Sequence, residues 1–187
     1  MIDDIKKALN VLRSGGVILY PTDTIWGIGC DATNAEAVKK VYEIKQRSDT
    51  KSMLVLLENA AFLSYYIEKV PDIANELIDV ADKPLTIIYP GAKNLATNLI
   101  AQDGTIGIRV VNDDFCKKLI SQFKKPIVST SANISERPSP ANFSEIEDGI
   151  IEAVDYVVEW RQNDYTKHAP SGIIKLGVNG EIQIIRK

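Results

Sequence analysis

The sequence predicts an α/β protein in which helices cover a mixed β-sheet. Three observations indicate this fold class: apolar runs typical of buried strands alternate with amphipathic helical patterns, the turn signal Asn179-Gly180 joins the last two strand patterns, and 45% of the 187 residues are hydrophobic. A chain of this length closes one sizeable core, whereas a second domain of roughly 100 residues would not fit beside it. We therefore expect one domain over residues 1–187.

The elements follow from the apolar spacing, taken in chain order. Apolar residues recur at helical spacing from Ile2 to Leu12, and Gly15-Gly16 ends that first helix. Strands are expected where an apolar run is bounded by turn residues. The first strand is predicted at 17–20 and, after a break at Pro21, continues at 26–29. The other predicted strands are 53–57, 85–89, 105–110, 127–130, 156–158, 173–176 and 182–185. Further helices are expected from about 33 and at about 60–69, 72–81, 113–122 and 143–153.

The second helix carries a lysine where its pattern calls for an apolar residue. Thr33 and Glu36 have the spacing of a capping box, so this helix is expected to begin after Thr33. Its apolar stripe reaches Tyr42, and Lys45 occupies the next position on the same stripe. A charge there must be solvated by a cleft, paired with another group or bound to a ligand.

Lys45 is the first of three cations at the end of this helix, followed by Arg47 and Lys51. An ammonium presents a compact charge and a guanidinium a planar fork, so the mixture suits several phosphate oxygens at once. Cations at the negative end of a helix dipole are the ordinary alternative. The position of Lys45 on the apolar stripe favours the phosphate site.

Polar side chains also follow two of the predicted strands. One loop is Ser129-Thr130-Ser131-Ala132-Asn133 and the other is Pro21-Thr22-Asp23-Thr24. Such clusters commonly cap helices or form turns, but ligands of α/β sheets bind beyond strand ends. Together with the cations, they predict a nucleotide triphosphate site, with ATP in a cleft around Lys45, Arg47, Lys51 and residues 129–133.

Several other classes of site are poorly supported. The net charge of −3 and the pI near 5.3 exclude a globally basic nucleic-acid binder. Cys30 and Cys116 lack zinc-ligand spacing, and the sole histidine, His168, is interpreted as a surface loop residue. Trp26 and Trp160 could stack on a base, although core packing is the more common role of such residues. Neither the P-loop nor the dinucleotide fingerprint is present.

The N-terminal sequence begins an amphipathic helix. It lacks the uninterrupted apolar core of a signal peptide and the run of roughly 20 apolar residues that a membrane span needs. We therefore expect a cytoplasmic protein that does not associate with a membrane.

Four segments are distinctive when taken together: Tyr-Pro-Thr-Asp-Thr-Ile-Trp-Gly-Ile-Gly at 20–29, Lys45-x-Arg47 with Lys51, Ser131-x-Asn133, and Pro170-Ser171-Gly172-Ile173. In combination they resemble the YrdC-type threonylcarbamoyl-AMP synthase family in its single-domain form. Their order and spacing cover nearly the whole chain. The combination is specific, although each piece alone is not.

The resemblance implies a twisted mixed sheet with a concave, locally positive cleft, and a reaction of L-threonine, bicarbonate and ATP that yields threonylcarbamoyl-AMP and pyrophosphate. The product feeds threonylcarbamoyladenosine formation in tRNA, so tRNA and threonylcarbamoyl-transfer proteins are indirect partners. Mg²⁺ is expected to bind mainly through the phosphates, with no dedicated protein metal site. By resemblance, the ATP-binding residues are Lys45, Arg47, Lys51, Thr105, Ser131, Asn133 and Ser139. Lys45 and Arg47 are also assigned to catalysis. The threonine-binding residues are Thr24, Arg109, Ser129 and Ser171.

The sequence departs from the family pattern at a few places. Leu56 stands where many relatives have a histidine, Trp26 where Tyr or Phe is usual, Val111 where Pro is common, and Gly172 where Thr is usual. Residues 81–84 replace a Trp-Pro-Gly-Pro stretch. Most of these changes concern the amino-acid pocket.

Two other functions remain open at this stage. One is a non-catalytic module that binds structured RNA, for which the acidic pI is unfavourable. The other is a carbamoyl-transfer domain like the related part of hydrogenase-maturation proteins, which carry acylphosphatase and zinc-finger neighbours.

Overall fold

The structure, a computed structural model, describes residues 1–46 and 53–187 and confirms the mixed α/β class. The helices are α1 Ile2–Arg13, α2 Ala35–Ile44, α3 Leu63–Tyr66, α4 Ile73–Asp79, α5 Asp114–Phe123 and α6 Asp148–Ala153, with 3₁₀ turns at Ala60–Phe62 and Phe143–Glu145. The strands are β1 Ile18–Tyr20, β2 Gly27–Gly29, β3 Leu54–Leu57, β4 Leu85–Tyr89, β5 Ile106–Val110, β6 Ile127–Ser131, β7 Tyr156–Val157, β8 Gly172–Leu176 and β9 Ile182–Arg186.

The strands form one mixed sheet of nine in the order β7-β1-β2-β6-β3-β5-β4-β8-β9. The pairs β1–β7, β3–β5 and β4–β8 are parallel, and the remaining neighbours are antiparallel. Strand β6 lies between β2 and β3, with Ser131 opposite Gly27 and Ser129 opposite Leu54. Its polar end therefore lies in the middle of the sheet.

Helix α1 forms for the predicted reason, with one change at its first turn. Ile5, Leu9 and Leu12 are buried, and α1 packs against α5. Ile2, the first residue of the predicted stripe, is 68% exposed because it precedes the part of the helix that reaches the core. Gly15 ends the segment with a φ of 75°, a left-handed conformation that glycine adopts without strain.

The predicted capping box at α2 is wrong. Asn34 caps this helix, because its side-chain oxygen accepts from the backbone N–H groups of Glu36 and Ala37 at 3.0 and 3.2 Å. The Thr33 hydroxyl instead donates to Asp31 at 2.7 Å. Both Thr33 and Asn34 are residue types that commonly cap helices. Because the Thr33 hydroxyl is hydrogen-bonded to Asp31, Asn34 forms the cap.

Two predicted helices are shorter than their patterns suggested. The segment predicted at 60–69 is a 3₁₀ turn followed by α3, and Asn59 caps its start through the N–H of Ala61. The segment predicted at 143–153 is interrupted at Ile146, which has extended backbone and buries its side chain. Packing of one isoleucine into the core thus outweighs helical continuity there.

The core is formed by side chains from both faces of the sheet. Tyr20, Tyr89 and Phe115 are among its largest fully buried members. None of the helices in the described part of the chain is both long and apolar enough to cross a bilayer.

Candidate active site

A cleft of about 310 Å³ opens on the face of the sheet where polar strand ends meet. It brings together residues from strands that are distant in the sequence, because β6 and β8 lie beside much earlier strands. Its lining comprises Thr24, Ile25, Trp26, Gly27, Met53, Leu54, Thr86, Ile88, Thr105, Gly107, Arg109, Ser129, Thr130, Ser131, Ser139, Pro170, Ser171, Ile173 and Arg186.

Both glycines of β2 lie where a side chain would crowd its neighbours, and Gly27 lines the cleft. A Cβ on Gly27 would lie 3.1 Å from the Ser129 hydroxyl. A Cβ on Gly29 would collide with the Val128 carbonyl and would approach the Tyr20 ring at 2.6 Å. A side chain would therefore be crowded at Gly27 and would clash at Gly29.

Below this strand, the Tyr20 hydroxyl donates to the Val128 carbonyl at 3.0 Å. Complete burial raises the pKa of Tyr20 far above its ordinary value. This phenol is therefore a buried neutral group that links β1 to β6.

Lys45 is only 1% exposed, as its place on the apolar stripe required. Its ammonium donates to the carbonyl oxygens of Ser131 and Asn133 at 2.5 and 2.7 Å. The Lys45 carbonyl in turn accepts from Ser135 N at 2.9 Å. Lys45 therefore joins the end of α2 to the polar loop after β6, a role that its position in the sequence did not reveal.

Asn133 shapes the same loop. Its side-chain amide donates to the carbonyls of Ile134 and Arg137 at 2.9 and 2.7 Å. The side chain is buried, and its oxygen has no hydrogen-bond partner among the described residues. Asn133 does not line the cleft, and its unpaired oxygen is itself buried, so its two donated bonds fix the shape of the loop.

Arg109 brings a buried positive charge to the cleft. Its side chain is 4% exposed, and Nη2 lies 3.1 Å from Asp23 Oδ1. Thr24, on the loop that carries Asp23, lines the same cleft and shares a 3.0 Å hydroxyl contact with Thr22. A guanidinium next to hydroxyl groups is suited to a ligand that carries a carboxylate.

Ser171 is 2% exposed, and its hydroxyl lies 2.8 Å from the Thr86 hydroxyl. Its carbonyl accepts from Arg186 Nε at 2.9 Å. Arg186 was not predicted as a site residue, because the pattern of the last strand indicated only a hairpin. Arg186 lines the cleft together with Arg109, and partial burial and this neighbouring cation lower the pKa of Arg186.

Thr105 lines the cleft and is fixed by Asp103, whose carboxylate accepts from the Thr105 hydroxyl at 2.6 Å. Hydrogen bonds from Lys175 and Thr105 lower the pKa of Asp103 to about 2. Ser131 and Ser139 also line the cleft, Ser139 as an exposed residue on its rim.

Arg47 and Lys51, the other two predicted phosphate ligands, lie outside the described residues. Among the remaining predicted site residues, Lys45 and Asn133 border the cleft through the loop after β6. The residues that line the cleft directly are Thr24, Thr105, Arg109, Ser129, Ser131, Ser139 and Ser171.

Two of the departures from the family pattern, Leu56 and Val111, have local structural explanations. Leu56 is fully buried and lies opposite Arg109 in the β3–β5 register, so an apolar group packs where a histidine is common. Val111 donates its N–H to the Leu57 carbonyl at 2.9 Å, a bond that proline cannot make. At Gly172, a Cβ would meet its nearest atoms at 3.7 Å, so the glycine is not sterically required.

The aromatic and sulfur groups contribute packing. Trp26 is 4% exposed, lines the cleft and packs its ring 4.8 Å from that of Phe143. Burial raises the pKa values of Cys30 and Cys116, so both stay neutral thiols. His168 lies in a loop, as expected, with its Nε2 3.7 Å from Asp164 Oδ2.

The lining therefore consists of hydroxyls, apolar side chains and two arginines, and it includes no Cys, His, Asp or Glu among the described residues. Such a site positions ligands and offsets negative charge. It is suited to a reaction in which the ligands themselves supply the nucleophile and the leaving group.

Comparison with known proteins agrees with this geometry. The Sua5–YciO–YrdC family model, described as "Telomere recombination", matches residues 10–187. A curated relative from Pseudoalteromonas translucida, named threonylcarbamoyl-AMP synthase, is 35% identical over 181 residues, which are 95% of each chain.

Two solved structures share the fold. Escherichia coli YciO matches with a TM-score of 0.84 at 25% identity, over 98% of this chain and 88% of that one. Sua5 from P. abyssi, complexed with L-threonine, matches with a TM-score of 0.82 at 24% identity, over 92% of this chain and 50% of that one. The chain thus spans half the length of that longer protein, and the likeness at this identity concerns the fold.

Proposed function

The chain belongs to the Sua5–YciO–YrdC family, and from this premise we propose that it is an L-threonylcarbamoyladenylate synthase. It makes threonylcarbamoyl-AMP and pyrophosphate from L-threonine, bicarbonate and ATP. One observation carries the proposal: seven residues predicted to bind ATP or threonine, drawn from across the chain, line a single cleft.

The threonine half of the cleft is proposed to centre on Arg109. A buried guanidinium can bind the amino-acid carboxylate with two hydrogen bonds. The hydroxyls of Thr24, Ser129 and Ser171 line the same cleft and suit the threonine hydroxyl and amine. Discrimination against serine then depends on one methyl contact, worth about 1–3 kcal/mol.

The ATP half is proposed to involve the loop after β6. Ser131, Ser139 and Thr105 supply hydroxyls, and Asn133 holds the loop in shape through its bonds to the Ile134 and Arg137 carbonyls. Lys45, Arg47 and Lys51 are assigned to the phosphates, with Lys45 also holding the loop through two carbonyls. Lys45 and Arg47 would offset the charge that develops on the leaving pyrophosphate.

The chemistry requires no protein nucleophile. The threonine amine and bicarbonate combine to a carbamate with loss of water, and a carbamate oxygen then attacks the α-phosphorus as pyrophosphate departs. Mg²⁺ would enter with ATP and neutralise phosphate charge. The hydroxyl-rich lining of the described cleft fits a metal whose oxygen ligands come mainly from the nucleotide.

The product is proposed to serve threonylcarbamoyladenosine formation in tRNA, with tRNA and threonylcarbamoyl-transfer proteins as indirect partners. We also propose a cytoplasmic location and one functional domain over residues 1–187. The continuous nine-stranded sheet supports the single domain.

The test is an omission series for pyrophosphate release. Release should need ATP, L-threonine, bicarbonate and Mg²⁺ together, and threonylcarbamoyl-AMP should appear in equal amount. Release that continues unchanged without threonine would exclude this activity. The same series addresses the alternatives. An RNA-binding module would release no pyrophosphate under any condition and would show salt-dependent RNA affinity in a separate binding assay, whereas a carbamoyl-transfer domain would not need L-threonine.

A further inference from the structure

Asp23 is a buried carboxylate to which neither the family resemblance nor the proposed chemistry gives a role of its own. Its side chain is 6% exposed, and Oδ1 lies 3.1 Å from Arg109 Nη2. Arg109 lines the cleft, whereas Asp23 is not among the lining residues. The carboxylate therefore contacts the guanidinium from the side away from the cleft, which leaves other N–H groups of the fork for a ligand.

Asp23 also connects two elements of the site. Its second oxygen, Oδ2, accepts from the N–H of Asn112 at 3.3 Å, just beyond the end of β5. Thr24 follows Asp23 in the chain and lines the cleft. One carboxylate thus holds the β5 end, which carries Arg109, against the loop that carries Thr24.

The contact between Asp23 and Arg109 is an ion pair without ideal hydrogen-bond alignment. Neither Asp23 Oδ1 nor Arg109 Nε has a hydrogen-bond partner among the described residues. The pair compensates the buried positive charge, while the guanidinium retains unused donors next to the cleft. An arginine in this state is ready to accept a second, external carboxylate.

We propose that Asp23 is a positioning residue for amino-acid recognition: it fixes Arg109 for the carboxylate of threonine and sets the position of Thr24 relative to it. This inference rests on the proposed synthase function. Asp23 acts through Arg109 and does not itself touch the substrate. Its loss should therefore weaken recognition of the carboxylate specifically and leave the use of ATP intact.

The experiment compares L-threonine with L-threoninamide, which keeps the amine and hydroxyl but lacks the carboxylate. For the wild type and for Asp23→Asn, pyrophosphate release is measured at varied concentrations of each amino substrate. We expect Asp23→Asn to lower kcat/KM for threonine roughly ten- to hundred-fold, to change kcat/KM for the amide little, and to leave the KM for ATP unchanged.

Asp31→Asn is the matched control. Asp31 is also a buried carboxylate paired with a cation, at 2.6 Å from Lys125, but it does not line or adjoin the cleft residues described above. Its replacement should leave the ratio of kcat/KM for threonine to kcat/KM for threoninamide at the wild-type value. Arg109→Met gives the reference for complete loss of carboxylate recognition, and adding Asp23→Asn to it should have no further effect on the ratio.

Equal losses with threonine and with the amide, or a parallel rise in the KM for ATP, would overturn the proposal, because they would mean that Asp23 supports the fold alone. If Asp23→Asn does not fold, Asp23→Glu keeps the charge but displaces it, and the same selective loss is expected. The omission series on the wild type tests the synthase function separately, and that function fails if pyrophosphate release does not need threonine. If the wild type needs threonine but Asp23→Asn leaves the ratio of kcat/KM for threonine to kcat/KM for the amide unchanged, only the role of Asp23 is refuted.

Discussion

The ammonium of Lys45 lies 2.7 Å from the carbonyl oxygen of Asn133, 88 residues further along the chain. A second bond reaches the Ser131 carbonyl. The lysine proposed to bind phosphate therefore also fixes the loop that carries the hydroxyls of the ATP site. Stability and nucleotide affinity should both depend on this one side chain.

Lys45→Met should lower the free energy of unfolding and raise the KM for ATP. The substitution keeps most of the apolar stem but leaves two carbonyls without their donor, which typically costs about 1–3 kcal/mol. Thermal or denaturant unfolding and ATP-dependent kinetics measure the two effects on the same sample.

Lys39→Met is the matched control, because Lys39 lies on the same helix with its side chain 65% exposed. It should change neither quantity measurably. If Lys45→Met raised the KM for ATP at unchanged stability, the two carbonyl contacts would be energetically unimportant.

Much of the fold could be predicted because its signals are local. The strand Leu85–Tyr89 was predicted with both ends correct, since Pro84 and Pro90 bound its apolar run. The cap of α2 was assigned to the wrong neighbour, because Thr33 and Asn34 are both suitable and Asp31 makes the choice. Spacing alone contains no information about that competition.

The site was predictable as a set of residues but not as a set of contacts. Lys45 was recognised as out of place on an apolar stripe, yet its partners are carbonyls that only the arrangement of β6 beside β3 brings near. Arg186 was missed because its approach to Ser171 depends on the pairing of β8 with β9. Such long-range pairings leave no periodic signal in the sequence.

Gly27→Ala should impair threonine use, because its Cβ would lie 3.1 Å from the Ser129 hydroxyl. Displacement of that hydroxyl should lower kcat/KM for threonine roughly ten-fold. Gly172→Ala is the counterpart, since its Cβ would have only ordinary contacts at 3.7 Å. Steady-state kinetics of both variants test this contrast, and equal behaviour would show that the space at Gly27 is not needed.

Ser171→Ala should raise the KM for threonine more than the KM for ATP. The lost hydroxyl is worth about 1 kcal/mol, or roughly five-fold in KM. Thr86→Val should cause a smaller change in the same direction, because it removes only the partner 2.8 Å from the Ser171 hydroxyl. An effect of Thr86→Val larger than that of Ser171→Ala would mean that Thr86, which also lines the cleft, contacts the ligand directly.

The carboxylate of Asp103 should confer a small stabilisation that disappears in acid. Hydrogen bonds from Lys175 and Thr105 lower its pKa to about 2 from its ordinary value of 3.8. A depressed folded-state pKa stabilises the protein fully above the unfolded-state value, and this contribution is lost as the pH falls towards about 2. Because the Asp103 side chain is 54% exposed, the effect should stay below about 1 kcal/mol and shrink with added salt.

Asp103→Asn should therefore melt below the wild type at about pH 6, with the difference narrowing towards about pH 2. Lys175→Met, which removes the main cause of the shift, should behave similarly, and a pH-independent difference for both variants would contradict the linkage.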